Sequence, residues 1–139
     1  MGTYVLGPGE LSDLVFRMTM PFRGGMAATK DSHCGGLTIA ILLIGALYGR
    51  ADPTGDDELA PAIAREYWRL FVDEFGTTHC GTLREGDPGP EASTRCGCIM
   101  VRSSRMLLKF LREVEQDPPT DERLEEWLAN EEVGECYGP

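Results

Sequence analysis

The stretch Gly35 to Tyr48, GGLTIAILLIGALY, restricts the fold more than any other part of the chain. It is apolar nearly all round, which marks a helix that other elements must enclose. A strand is the weaker reading, because the run is long and carries Ala40, Gly45 and Ala46. Gly49 suits its C-terminal cap. The run falls short of the roughly 20 residues a membrane-spanning helix needs, so it predicts a core and no membrane insertion. A chain of 139 residues has room for one modest core, with this helix at its centre.

The remaining segments supply partners for it. Leu11, Leu14, Val15 and Met18 recur at helical spacing until Pro21 ends the pattern. Gly24-Gly25 reads as a turn. After a turn-rich loop from Arg50 to Gly55, Asp56 or Asp57 can cap a long helix through Phe75, with Pro61 tolerated in its first turn. Its apolar stripe is Leu59, Ile63, Tyr67, Leu70, Phe71 and Phe75, and Gly76 ends it. A short helical turn is expected within Thr77 to Leu83, then a loop from Glu85 to Glu91. A further helix starts near Ser93 or Thr94 and turns Ile99, Met106, Leu107, Phe110, Leu111 and Val114 toward the core. Pro118-Pro119 breaks it, and Thr120 starts a short acidic helix with Leu124, Trp127 and Leu128 inward. The expected architecture is an all-α, compact domain of four to five helices, orthogonal or bundle-like, with one fully buried apolar helix. Residues 1–116 form the helical cysteine-bearing domain, and residues 117–139 an acidic C-terminal helix and tail.

Charge narrows the partners. The net charge is -10, and Arg and Lys are scattered, so no basic stripe exists for nucleic acid. The acidic excess collects after Leu111, from Glu113 to Glu135. It is read as a solvated helix and tail, with a docking surface for a basic partner as the alternative. No basic stretch followed by an apolar segment opens the sequence, so a cytoplasmic location is expected.

The chemistry then falls to the cysteines. There are five, an odd number, and in a reducing compartment clustered cysteines point to metal binding or redox chemistry more than to structural disulfides. Cys34 precedes the apolar helix, Cys80 follows the Gly76 junction, and Cys96 and Cys98 fall in the first turn of the penultimate helix. Free N–H groups and the helix dipole at such positions favour a thiolate and lower the thiol pKa. The alternative is that each cysteine is a small hydrophobe filling a gap. The two histidines, His33 and His79, each stand immediately before a cysteine, and imidazole beside thiolate is a common zinc or iron ligand pair. The spacing is not that of a zinc finger, so any site must be assembled by the fold. Cys96-Gly97-Cys98 is a separate signal: a disulfide across one residue closes a small strained ring and is readily reduced. Cys136 lies in the tail with no structural role expected. Gly24-Gly25 and Gly35-Gly36 would let backbone approach a cofactor closely, or equally serve turns and tight helix crossings. No phosphate-binding loop, dinucleotide fingerprint or covalent haem motif is present.

In order, these residues resemble the C-GCAxxG-C-C family of redox-active proteins. The matching pieces are Phe22-Arg23-Gly24-Gly25-Met26, Cys34-Gly35-Gly36 opening a helix that ends Leu47-Tyr48-Gly49, and Phe75-Gly76-Thr77-Thr78-His79-Cys80, followed by Cys96 or Cys98. The resemblance implies a helical protein regarded as redox-active or metal-binding. The family's first cysteine, on an N-terminal helix, has no counterpart here. Cys98 or a cysteine of another subunit could take its place, and the apolar surface left open favours a homodimer or a partner subunit. The expected function is a redox or metal-binding protein for electron transfer, holding an iron–sulfur cluster or similar centre with Cys34, Cys80, Cys96, Cys98 and His79. Two alternatives stand beside it. One is a metal-free thiol–disulfide protein in which Cys96 and Cys98, or Cys34 and Cys80, cycle between states. The other is a non-enzymatic subunit with structural cysteines.

Overall fold

Three amphipathic stripes and one apolar run decide how the helices meet. The computed structural model describes residues 13–55, 58–85 and 92–129, with the side chains of 92–95 left aside. Among these residues there are six α-helices: α1 (Asp13–Thr19), α2 (Gly35–Tyr48), α3 (Leu59–Phe75), α4 (Cys80–Glu85), α5 (Ala92–Gln116) and α6 (Asp121–Ala129). A 3₁₀ turn, Met20–Phe22, continues α1 through Pro21. The all-α architecture expected from the sequence is the one found, and no described helix is long and apolar enough to cross a membrane.

α2 packs against both α3 and α5, and α6 packs on α3. The core is built where their stripes meet: Leu37, Ala40, Leu43 and Ile44 from α2, Ile63, Tyr67 and Phe71 from α3, and Leu107, Phe110, Leu111 and Val114 from α5. Residues 63, 67 and 71 recur every fourth position, which keeps them on one face of a 3.6-residue helix. Each such fully buried side chain contributes about 1.5–3 kcal/mol. Tyr67 adds a polar pin, since its hydroxyl bonds the carbonyl and the hydroxyl of Ser103 at 3.0 Å each.

Two details depart from the sequence reading. The stripe of α3 starts one turn late, with Leu59 left exposed. The enclosure of α2 leaves an outer strip, on which Leu42 and Leu47 are exposed. α6 fits its expectation more closely. Thr120 caps it by accepting the Arg123 N–H, and Trp127 lies against Phe110 with ring centroids 6.3 Å apart. α1 buries none of its residues among the described ones, and Leu14, Phe16 and Met18 are largely exposed.

Candidate functional site

Two dipeptides 46 positions apart in the chain, His33-Cys34 and His79-Cys80, are brought together by a single antiparallel bridge between the histidines. The Cys34 N–H donates to the Thr78 carbonyl at 2.7 Å, and the Cys80 N–H donates to the Ser32 carbonyl at 2.8 Å. Extended backbone alternates its side chains. Cys34, Thr78 and Cys80 accordingly point inward and are buried, while His33 and His79 are part-exposed. Each cysteine then leads directly into a helix, Cys34 as the N-cap of α2 and Cys80 as the first residue of α4.

The histidines are engaged in the bridge region itself. His33 Nδ1 lies 3.0 Å from the Thr78 hydroxyl, and its ring meets Trp68 edge-on at 4.7 Å. Burial, and then the neighbouring His79, lower the His33 pKa from its ordinary value. His79 Nδ1 accepts the Thr82 N–H at 3.2 Å, which caps α4 and leaves the ring hydrogen on Nε2, 3.9 Å from Asp31 Oδ1.

α5 brings the third thiol. The helix begins at Ala92, so Cys96 is its fifth residue and Cys98 its seventh, both beyond the first turn where the sequence reading placed them. An ionised Cys96 would act electrostatically on both Cys34 and Cys80, which sets these three in one neighbourhood. Two positions on along a helix is more than half a turn, and Cys98 is exposed. Met100 and Ser103 follow Cys96 on the same face. A Cβ on Gly36 would stand 2.9 Å from Met100 Sδ and 3.6 Å from Cys34 Sγ. Bare backbone at Gly36 is thus what lets α5 close on the start of α2. Met100 is a neighbour of the thiols that no spacing rule in the sequence pointed to.

The electrostatics reverse one expectation. Placement at helix starts was expected to lower the thiol pKa values, yet both buried thiols are raised. For Cys34, burial dominates, the N–H groups of Gly36 and Leu37 pull the other way, and the Cys96 charge raises it further. For Cys80, burial again leads, followed by the Cys34 charge, with Arg84 partly opposing. Desolvation wins because these helix starts face the core rather than solvent. Cys34 and Cys80 are therefore neutral thiols at pH 7.

A left-handed turn closes over Cys80. Gly24, Gly25, Met26, Ala27 and Ala28 have φ of 65°, 71°, 54°, 47° and 59° in succession, and Lys30 has 64°. Non-glycine residues in this region cost roughly 1–2 kcal/mol each. The turn is held by Ala28 N–H to Arg23 O at 3.0 Å, Lys30 N–H to Gly24 O at 2.9 Å and the Thr29 hydroxyl to Gly25 O at 2.8 Å. A Cβ on Gly25 would come within 2.6 Å of Cys80 Cβ, and one on Gly35 within 2.6 Å of the Phe22 carbonyl oxygen. The space beside Gly24 is taken by Ala28. All four glycines singled out in the sequence are therefore points where the protein approaches itself.

Among the described residues, no three His, Cys, Asp or Glu side chains form a group that could hold a metal ion. A groove of about 830 Å³ lined by Leu47, Tyr48, Leu59, Leu111 and Leu124 lies at the other end of α2 and contains none of the thiols.

Over residues 6–110 the sequence matches the family described as "Putative redox-active protein (C_GCAxxG_C_C)". The chain belongs to that family, which carries the resemblance noted in its cysteines and glycines to most of its length. No curated protein and no solved structure shows a significant match.

Proposed function

We propose that the protein is a thiol–disulfide redox protein whose working pair is Cys34 and Cys80, with Cys96 as a third thiol beside them. One observation carries this reading: the His33–His79 bridge holds both cysteines inward at adjoining helix starts. In the reaction, one cysteine loses its proton and attacks a disulfide of a partner protein, forming a mixed disulfide and releasing a partner thiolate. The second cysteine, deprotonated in turn, displaces the partner's remaining sulfur. The products are an intramolecular disulfide and a partner dithiol, with two electrons passed to the partner and two protons shifted to its sulfurs. Buried thiols with raised pKa values make slow nucleophiles at neutral pH, so the protein serves a selected partner rather than free oxidants.

A second reading keeps the metal. A disulfide needs two sulfurs and the neighbourhood holds three, so an iron–sulfur or other thiolate-bound centre for electron transfer would draw on Cys34, Cys80 and Cys96, with Cys98, His79 or a cysteine of another chain as further ligands. It comes second because the thiol pair needs no further ligand, whereas a metal centre would need a fourth from Cys98, His79 or another chain. The setting is cytoplasmic, and the exposed apolar residues of α1 are covered by a second copy or a partner subunit.

The test is a titration of the thiols against ambient redox potential. A two-electron couple that disappears in Cys34→Ser and in Cys80→Ser, and survives in Cys98→Ser, supports the first reading. Visible absorption and bound iron in anaerobically purified protein support the second.

A further inference from the structure

We propose that the left-handed turn Gly24–Ala28 is a gate over Cys80, shut in the structure described and opened to admit the partner's disulfide. The proposal rests on the thiol–disulfide reading and adds how a partner reaches a buried sulfur. Cys34 and Cys80 are 6% and 4% exposed. Disulfide exchange requires the attacking sulfur to approach its target directly, so no outside sulfur can react with either thiol while the surroundings stay in place. Some covering segment has to move.

The turn is the segment that meets the requirements. Gly25 is buried directly on Cys80, where an added Cβ would lie 2.6 Å from Cys80 Cβ and 3.2 Å from its sulfur. The rest of the turn lies outside, with Met26, Ala27 and Ala28 exposed, so no apolar side chain of those three anchors it in the core. The hydrogen bonds of Ala28, Thr29 and Lys30 run back to Arg23, Met26 and Gly24, so most of the turn's bonds are local, while Ala27 N–H to Pro21 O at 2.6 Å ties it to the 3₁₀ turn and Gly81 N–H to Lys30 O at 2.8 Å ties it to α4. Three of its five left-handed residues are not glycine, and that conformation is disfavoured for them. A strained surface segment with little buried apolar contact is the part of a fold that opens at lowest cost.

Two substitutions push the gate in opposite directions. Gly25→Ala puts a methyl group where Cys80 already is, and displaces the turn. Ala27→Gly keeps the turn and removes a disfavoured left-handed residue, which holds it shut. The readout is the alkylation rate of Cys80 by iodoacetamide in the intact protein at fixed pH, followed by peptide mass spectrometry. Gly25→Ala is expected to raise that rate at least tenfold, and Ala27→Gly to lower it about threefold. Should Gly25→Ala not fold, Ala27→Gly decides alone. A wild-type or faster rate in Ala27→Gly overturns the gate, as does an unchanged rate in folded Gly25→Ala. Measuring the thiol redox couple on the same proteins keeps the two claims apart. An intact couple with unmoved rates removes the gate only, whereas opposed rate changes with no couple remove the thiol–disulfide reading and leave the gate.

Discussion

His33 and His79 face each other across one antiparallel bridge, and that single pairing sets Cys34 opposite Thr78 and Cys80 opposite Ser32, with both thiols on the inward face at the starts of two helices. The histidines thus act on the thiols through the backbone, with their rings engaged by Thr78 and Thr82.

If His79 works as the cap of α4, losing its ring nitrogen loosens the chain just before Cys80. His79→Ala should cost about 1 kcal/mol of stability, the usual worth of an N-cap. His79→Asn, whose side-chain oxygen can accept the Thr82 N–H, should recover most of that loss. Urea unfolding of the two variants measures it. Equal losses in both would point to a role for the imidazole other than capping.

The raised thiols and the lowered His33 give stability a defined pH window. A thiol whose pKa is higher in the folded state contributes stability that is fully present below its unfolded pKa, near 9.0, and is lost as pH rises through the folded value. His33 has a folded pKa below 6.5, so its contribution is present above the unfolded value and fades as pH falls through the folded one. Denaturation midpoints should be flat between about pH 7 and 8.5 and decline on both sides. Cys34→Ala should flatten the alkaline limb. An alkaline limb of the same slope in Cys34→Ala would show that the buried thiol is not its source.

Tyr67 pins α3 to α5 through Ser103, and burial pushes its pKa up to about 12 despite the Ser103 hydrogen bond. Tyr67→Phe leaves the buried Ser103 groups without that partner and should destabilise by about 1–3 kcal/mol. The redox couple of the thiols should persist, because Tyr67 forms no bond to them. Guanidinium unfolding and a thiol titration on the same sample check both halves.

The open surface of α1 predicts assembly. Leu14, Val15 and Met18 on one face are 65%, 43% and 63% exposed, and Phe16 on the opposite side is 57% exposed, so apolar surface lies open around the helix. Light scattering after size exclusion should find a species larger than one chain, and Phe16→Glu should reduce it to the monomer. A wild-type protein that is monomeric at micromolar concentration contradicts the assembly.

Much of the helical frame was legible because it depends on local pattern. The apolar run gave α2, the stripe of Ile63, Tyr67 and Phe71 gave α3, and Gly76 ends α3 in the left-handed conformation at φ 76°. Pro118-Pro119 likewise ends α5. Gly49 is the C-cap of α2, as expected, with its N–H donating to Gly45 O, though its backbone is extended at φ -71°. The caps proposed at Asp56 or Asp57, the tail beyond Ala129 and Cys136 lie outside the described residues. The site was less readable for three physical reasons. The histidine bridge is a long-range pairing with no local periodicity. The turn at Gly24 was visible, but its left-handed continuation through Met26, Ala27 and Ala28 goes against the preference of those residues, so nothing in their identity announces it. The thiol pKa direction depends on whether a helix start faces solvent or core, which only packing decides.

The proposed redox chemistry stands or falls with Cys34 and Cys80 as the working pair. The most direct measurement is disulfide mapping by mass spectrometry of the protein equilibrated across a series of redox buffers. A Cys34–Cys80 linkage should appear and disappear as one two-electron transition. Oxidation that links Cys96 to Cys98 instead, or that leaves Cys34 and Cys80 as free thiols throughout, would contradict it.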